Sequence, residues 1–370
     1  MSLKPRDEKQ LSEAIAAAKG PLRIVGNGTR GVMCEGDVLT TAAMSGISLY
    51  EPGALTVVAA AGTPLAEIEA ALAAEGQRLP FEPMDHRGLL GTKGEPTIGG
   101  VVAANISGPR RVQAGACRDS LIGVRFVDGR GDVLKNGGRV MKNVTGYDLV
   151  KLMAGAHGTL GVISEVAFKV LPDVAATAVL LINGLSDADA VLAMSRALGS
   201  PYEVSGAAHT PNGIDGHPVT MIRMEGFKAS VAYRAEQLRV LLADLGEGVI
   251  ETDPARVSAG WKWVRDVEAF DGHEGNVWRI SVKPSDAPQV VAGLGANAVL
   301  LDWGGGLIWA LMPQGADMRA KMRDVRGHAT LVRGTDFSRF QPEVGPLASI
   351  SAGLRAQFDP RGILNAGLMG

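Results

Sequence analysis

Apolar residues return at helical spacing at Leu11, Ala14, Ile15 and Ala18, which predicts a helix over 7–19 with Gly20 at its C-terminal cap. The apolar run 22–25 predicts a short strand, followed by the turn Gly26-Asn27-Gly28-Thr29-Arg30-Gly31. Further strands are expected at 47–50 and 56–61. Thr63 and Pro64 then predict a helix start, with Leu65, Ile68, Ala71 and Leu72 as its stripe and Gly76 at its end. From 85 to 165 glycine is densest. There Thr97-Ile98-Gly99-Gly100 opens a helix of small residues, and a strand over 121–127 turns at Asp128-Gly129. Thr145 with Asp148 announces a helix carrying Leu149, Leu152 and Met153 and ended by Gly155. A strand over 160–170 closes at Pro172.

Past Pro172 glycine thins out and strands alternate regularly with helices. Strand 178–183, helix 186–198, strands 202–209 and 218–225 and helix 230–244 form one group. After helix 258–270, a second group follows: strand 276–283, helix 285–293, strands 297–302 and 306–312, helix 316–325 and strand 328–333. Two tandem βαββα units of this kind make the ferredoxin-like pattern, an antiparallel sheet with helices on one face. A last helix over 343–357 leads into Phe358–Asn365, and the domain boundary is expected near Pro172.

Composition narrows the class. Glycine supplies 49 of 370 residues and apolar residues 46%, so there is ample surface to bury and no case for a disordered chain. The glycines have no period of three, and no run of about 18 apolar residues predicts a membrane span. The opening MSLKPRDEKQ reads as polar rather than as a signal peptide, so a cytosolic protein is expected. With 37 Lys and Arg against 39 Asp and Glu, nothing supplies the positive field that nucleic acid needs. Cys34 and Cys117 are too few for a disulfide framework or a four-cysteine metal site.

Two glycine motifs carry candidate chemistry. Gly26-Asn27-Gly28-Thr29-Arg30-Gly31 is a literal G-x-G-x-x-G after a strand, but the next residues lack the helical period a dinucleotide fold requires. It reads either as a nest of backbone N–H groups for phosphate or as a plain surface turn. In Thr97–Asn105, two glycines and further small residues let a ligand or a second helix approach bare backbone. Arg111 and Arg118 follow, either offsetting phosphate charge or solvated.

The order of the pieces says more than any one of them. It runs Gly26–Arg30, Ala61-Gly62-Thr63, Leu79-Pro80-Phe81-Glu82-Pro83, Thr97–Asn105, Ser107-Gly108, Gly137-Gly138, Lys142–Asp148 and Gly158–Glu165, with Phe358–Asn365 at the end. This order resembles the vanillyl-alcohol-oxidase-type flavoproteins, whose FAD domain is also called the PCMH type, and within them the FAD-binding subunits of bacterial glycolate oxidases. The resemblance implies an α+β chain: an FAD-binding domain of two α+β subdomains over 1–172, a ferredoxin-like cap over 173–340 and a return segment over 341–370. It implies that Gly26, Asn27, Gly28, Thr29 and Arg30 offer backbone N–H groups to the pyrophosphate. Pro80, Thr97, Ile98, Gly99, Gly100, Ala103, Asn105, Ser107, Gly108 and Arg111 would run past the cofactor, and Gly158, Gly161 and Ile163 would contact its adenine and ribitol. Asn365 matches the closing Asn-Pro-Gly motif, here Asn365-Ala366-Gly367. The first loop has no His and Cys117 does not match the linking position of cysteine-linked members, so noncovalent FAD is implied. His157 stands where many relatives have Glu and reads as a loop residue.

The implied activity is oxidation of glycolate to glyoxylate within a complex containing a related larger FAD-binding subunit and an iron–sulfur subunit. A cytoplasmic site is implied, or a peripheral one on the inner face of the membrane through those partners. The rivals are a self-sufficient dehydrogenase of D-lactate or another 2-hydroxy acid, and a structural subunit without catalysis of its own. Such chemistry needs a cation for the carboxylate and a base for the hydroxyl proton. The six histidines, His86, His157, His209, His217, His273 and His328, form no zinc motif, and no metal site is expected. Arg279, in the strand Val277–Val282 and facing opposite to Trp278 and Ile280, is the candidate catalytic residue. It either clamps a carboxylate or pairs with an acid such as Glu268. Trp261, Trp263, Trp303 and Trp309 concentrate aromatic surface in the cap, as a flavin-facing wall, a subunit interface or core.

Overall fold

The first helix runs Glu8–Ala17, started by Asp7, whose carboxylate accepts from the Gln10 N–H, and capped at Ala18 rather than at Gly20. The computed structural model describes residues 2–138, 146–213 and 215–370. The chain forms two units, one of residues 1–107, 115–173 and 342–370 and one of residues 108–114 and 174–341.

The strands of the first unit are β1 (Ser2–Leu3), β2 (Leu22–Val25), β3 (Asp37–Thr40), β4 (Ile47–Glu51), β5 (Thr56–Ala60), β6 (Gln77–Arg78), β7 (Leu121–Val127), β8 (Val133–Gly137), β9 (Val162–Lys169) and β10 (Leu171–Pro172). A small parallel sheet has the order β1-β3-β2, an antiparallel one the order β4-β5-β9-β7-β8, and β6 pairs with β10. No helix separates β2 from β3, as the sequence after Gly31 requires. The five-stranded sheet is a wall between two cores, so residues from both faces of its central strands are buried. Phe126, Ile163, Val166 and Phe168 pack with the helices Leu65–Ala74 and Ile98–Ala103. Val127 and Val162 face the other way, onto Leu11, Ile15, Leu22 and Leu39. Thr63 does not cap the helix Leu65–Ala74 as expected; its hydroxyl donates to the Gly46 and Ala60 carbonyls instead.

The second unit continues with β11 (Ala176–Asn183), β12 (Val204–Thr210), β13 (Val219–Gly226), β14 (Gly248–Glu251), β15 (Asn276–Val282), β16 (Ala298–Asp302), β17 (Leu307–Met312) and β18 (Gly327–Arg333). They form one sheet in the order β14-β11-β13-β12-β16-β17-β15-β18. Each half is a complete ferredoxin-like unit, and the halves meet where His209 of β12 pairs with Leu301 of β16. The sequence reading missed β14, a four-residue edge strand.

Alternate residues such as Leu180, Ile222, Ile280 and Ile308 pack under the helices Asp187–Leu198, Lys228–Leu241 and Ala287–Leu294. The expectation of helices on one face alone needs correction, because Pro254–Asp266 covers the opposite face. Gly206 makes room for it: a Cβ there would stand 2.8 Å from the Trp261 ring. The Arg223 guanidinium lies over that indole, 4.4 Å from its centroid.

The expected boundaries also miss residues 108–114, which belong to the second unit although 107 and 115 lie in the first. Arg110 anchors them. Its Nε and a terminal nitrogen donate to the two Glu225 carboxylate oxygens at 3.0 and 2.9 Å, in a largely buried bidentate pair.

Candidate functional site

In the first unit the turn after β2 is braced from its flanks. The Thr40 hydroxyl donates to the Gly26 carbonyl at 2.6 Å, the Thr92 hydroxyl to the Thr29 carbonyl at 2.8 Å, and the Asn27 amide to the Glu95 carbonyl at 2.9 Å. Gly28 and Gly31 are left-handed, at φ +73° and +57°, the backbone geometry from which anion-binding nests are made. Asn27 and Gly28 are exposed, and a Cβ built on Gly28 meets nothing within 4 Å. Gly26 is glycine for another reason: a Cβ there would stand 2.2 Å from the Thr97 hydroxyl oxygen. An open, braced, left-handed turn fits a pyrophosphate, which would meet its backbone.

Thr97 caps Ile98–Ala103, its hydroxyl accepting from the Gly100 N–H. The two glycines of this helix serve protein contacts. Gly99 lies on Ala61, and a Cβ on Gly100 would stand 2.7 Å from an Arg30 guanidinium nitrogen. Arg30 is therefore an enclosed cation behind the turn. Burial pulls its pKa down to about 10, opposed by Cys117 and Asp85, so it keeps its charge at neutral pH. Burial also pushes the Cys117 thiol far up, which leaves it unreactive.

Asn105, left-handed at φ +49°, accepts from the Arg118 N–H through its side chain, and its carbonyl accepts from the Ser107 hydroxyl. That hydroxyl accepts in turn from the Cys117 N–H at 2.9 Å. Ala103 accepts from the His157 N–H at 2.8 Å, which makes His157 a loop residue held by its backbone. Gly158 follows at φ +74°, packed on Asn365 and Ile24. The Asn365 side chain is fully engaged, with Oδ1 accepting from the Ile24 N–H at 2.7 Å and Nδ2 donating to the His157 carbonyl at 2.8 Å. Gly161 packs on Phe126 and Met153, while Pro80 and Ile163 are buried. Of the run Lys142–Asp148, Lys142 to Thr145 lie outside the described residues, and Asp148 caps Leu149–Met153.

Gly108 and Arg111 belong to the second unit. There the Gly108 carbonyl accepts from the Trp303 indole N–H at 3.1 Å, and the Arg111 guanidinium lies 4.5 Å from the Trp303 ring centroid. Arg279 lies over the same ring at 5.0 Å. It does not pair with Glu268, which takes Lys262. Burial foremost, then the charge of Arg111, pulls the Arg279 pKa down to about 10 against the opposing charge of Asp302. Burial, then Arg279 and Arg111, hold His328 below the ordinary histidine range. Sequence reasoning missed Trp303 as the centre of this group. Its one local signal is the run Gly304-Gly305-Gly306 directly after it.

The FAD binding domain family model matches residues 1–137. The structure of alkyldihydroxyacetonephosphate synthase superimposes on 99% of this chain and 76% of its own, with a TM-score of 0.73 at 15% identity, a likeness of fold. With the braced glycine turn, these define a PCMH-type FAD-binding flavoprotein. The glycolate oxidase subunit GlcE of Escherichia coli (strain K12) is 36% identical over 366 residues, 98% of this chain and 95% of that one. This chain belongs to the GlcE family of glycolate oxidase subunits. The glycolate oxidase subunit GlcD of Bacillus subtilis (strain 168) is 42% identical over 76 residues, 20% of this chain and 16% of its own. Among the described residues no helix is long and apolar enough to cross a membrane.

Proposed function

We propose that this chain is an FAD-binding subunit of a complex that oxidises glycolate to glyoxylate and passes the electrons to an iron–sulfur subunit. The observation that carries the reading is the end-to-end similarity to GlcE in a chain whose glycine turn is open and braced. Glycolate gives up two electrons and two protons to become glyoxylate, and bound FAD supplies the two-electron acceptor. The braced turn Gly26–Arg30 would hold the pyrophosphate, and enclosed Arg30 would offset its charge. The backbones of Pro80, Gly158, Gly161 and Ile163 would flank the rest of the cofactor. The FAD is noncovalent, since the turn contains no His and Cys117 is buried and protonated. The electrons leave through a partner, because two cysteines cannot hold a four-cysteine cluster. A second, larger flavoprotein subunit completes the complex, in the cytoplasm or against the inner face of the membrane.

Acid precipitation of purified chain should release its flavin into the supernatant; flavin remaining with the pellet excludes the noncovalent reading. Dye-linked glycolate oxidation should appear on coexpression with the larger flavoprotein and the iron–sulfur subunit. Turnover of the isolated chain on the order of 1–10³ s⁻¹ would instead identify a self-sufficient dehydrogenase. A coexpressed complex that binds FAD but leaves glycolate unchanged would overturn the reading.

A further inference from the structure

We propose that Arg87 is a positioning residue for FAD: it fixes the exposed segment 91–95 against the turn Gly26–Arg30 and so sets the backbone that meets the pyrophosphate. The inference rests on the reading that this turn holds the pyrophosphate; the arrangement around Arg87 stands on its own geometry. Arg87 opens the short helix Arg87–Leu90, and its guanidinium reaches two ways. On one side Nε donates to Asp85 Oδ1 and Oδ2 at 3.1 and 3.0 Å, and Nη2 donates to Oδ2 at 2.8 Å. Asp85 is a fixed point, because the buried residues Met84 and His86 flank it. On the other side Nη1 donates to the Gly94 carbonyl at 2.9 Å and to a Glu95 carboxylate oxygen at 3.1 Å. The Arg87 carbonyl accepts from the Thr92 N–H at 3.1 Å, which closes the loop.

The segment held in this way is the one that touches the turn. The Thr92 hydroxyl donates to the Thr29 carbonyl, and the Asn27 amide donates to the Glu95 carbonyl. Between these two bonds Gly94, at φ +101°, lays bare backbone against the turn. A Cβ there would stand 3.3 Å from the Asn27 carbonyl oxygen and 3.8 Å from Thr29 Cγ2. None of residues 91–95 is buried. Little apolar burial fixes their place, so polar bonds decide it, and charge-assisted bonds are the strongest of these. Burial alone would raise the Asp85 pKa, but the bonds from Arg87 outweigh it and hold the carboxyl below its ordinary range. The bond to Asp85 in turn raises the Arg87 pKa against a lesser effect of burial, so both partners are ionised at neutral pH. An anion-binding turn gains from N–H groups already aimed, because ordering them on binding costs affinity. Arg87 thus acts on the cofactor through the segment 91–95.

The test strips flavin from the full-length chain and titrates FAD back, following flavin fluorescence, with the thermal transition of each apoprotein measured alongside. Arg87→Met should weaken FAD binding about 5- to 50-fold, the share of the lost charge-assisted bonds that reaches the turn. Arg87→Lys, which keeps the charge but not the two-way reach, should fall between Met and the parent. The effect of Arg87→Met should be smaller in an Asn27→Ala background, where the bond from the turn to Glu95 is already gone. Arg196→Met, which removes a surface pair with Asp244, should leave FAD binding unchanged. Gly28→Pro cannot keep φ +73°, so it tests the exposed turn itself and should abolish binding.

Unchanged FAD affinity in a folded Arg87→Met variant, with Gly28→Pro still abolishing binding, would overturn the role of Arg87 and leave the pyrophosphate reading standing. Unchanged affinity in Gly28→Pro would overturn both. A lower thermal transition of Arg87→Met without a change in FAD affinity would reduce Arg87 to a stabilising residue. Fully additive effects of Arg87→Met and Asn27→Ala would show that Arg87 does not act through the turn. If Arg87→Met does not fold, Arg87→Lys decides in its place: weakened binding supports the role, and parent affinity overturns it.

Discussion

Gly99 lies against Ala61: its N–H donates to the Ala61 carbonyl at 2.8 Å, and a Cβ built on Gly99 would stand 2.6 Å from the Ala61 Cβ. The small residues of Ile98–Ala103 thus seat the helix on the end of β5, and its glycine is filled space rather than open cradle.

Gly99→Val should therefore act on folding first. The obstructing atoms include backbone, which cannot swing aside, so the cost should reach or exceed the roughly 1–3 kcal/mol of ordinary overpacking. Gly100→Ala meets the end of the Arg30 side chain and should be milder. Thermal transitions and flavin content of both variants decide this. A Gly99→Val chain that melts like the parent but lacks flavin would show that the cofactor, not Ala61, fills the space.

Asn365 ties three distant pieces of chain together. Its amide satisfies the Ile24 N–H and the His157 carbonyl, while its own N–H donates to the Leu22 carbonyl. At φ +45° and 2% exposure, it combines a left-handed backbone with two buried side-chain bonds, a combination asparagine tolerates well. Asn365→Ala should cost about 2–5 kcal/mol, because each orphaned buried group costs about 1–3 kcal/mol. Asn365→Asp keeps the acceptor for Ile24 but loses the donor to His157, so it should not restore stability. Denaturant midpoints check the size of the loss, and faster carboxypeptidase trimming of the C-terminal segment checks its location.

The sequence shows most plainly those features whose cause is local. Thr97 opens its helix as expected, because a short polar side chain precedes an apolar period; Asp7 caps the first helix, and Asp148, expected as the partner of a start at Thr145, is itself the cap, Thr145 lying outside the described residues. The repeated strand–helix alternation after Pro172 reveals the second sheet for the same reason. Features set by distant partners are hidden. Arg111 reads as either a phosphate-side or a solvated cation because Glu225, which holds the adjacent Arg110 from more than a hundred residues away, leaves no local mark. Gly99 reads equally as a cofactor approach or a helix contact, since both require bare backbone. Helix Pro254–Asp266 was expected on the common face because its own apolar stripe does not say which side of a sheet it covers, and Gly206 decides that.

Glu8 links the first helix to the five-stranded sheet and should make part of the stability depend on acid pH. Its carboxylate accepts from Arg125 Nε at 3.1 Å and from the Ser164 hydroxyl at 2.7 Å. Burial alone would raise its pKa. The hydrogen bonds from Arg125 and Ser164, with the charge of Arg125, outweigh burial and hold it below 4.5. A group lowered on folding contributes fully above its unfolded pKa and loses that contribution as pH falls through its folded one. The advantage of the parent over Glu8→Gln should thus be constant from pH 7 to about 5 and shrink below that. Because the pair is partly solvated, the difference at pH 7 should be about 0.5–1.5 kcal/mol, discounted from a buried charged bond. Urea unfolding of both proteins across this range gives the comparison directly. A gap that stays constant down to about pH 3 would assign the contribution of Glu8 to packing rather than to its ionised carboxylate.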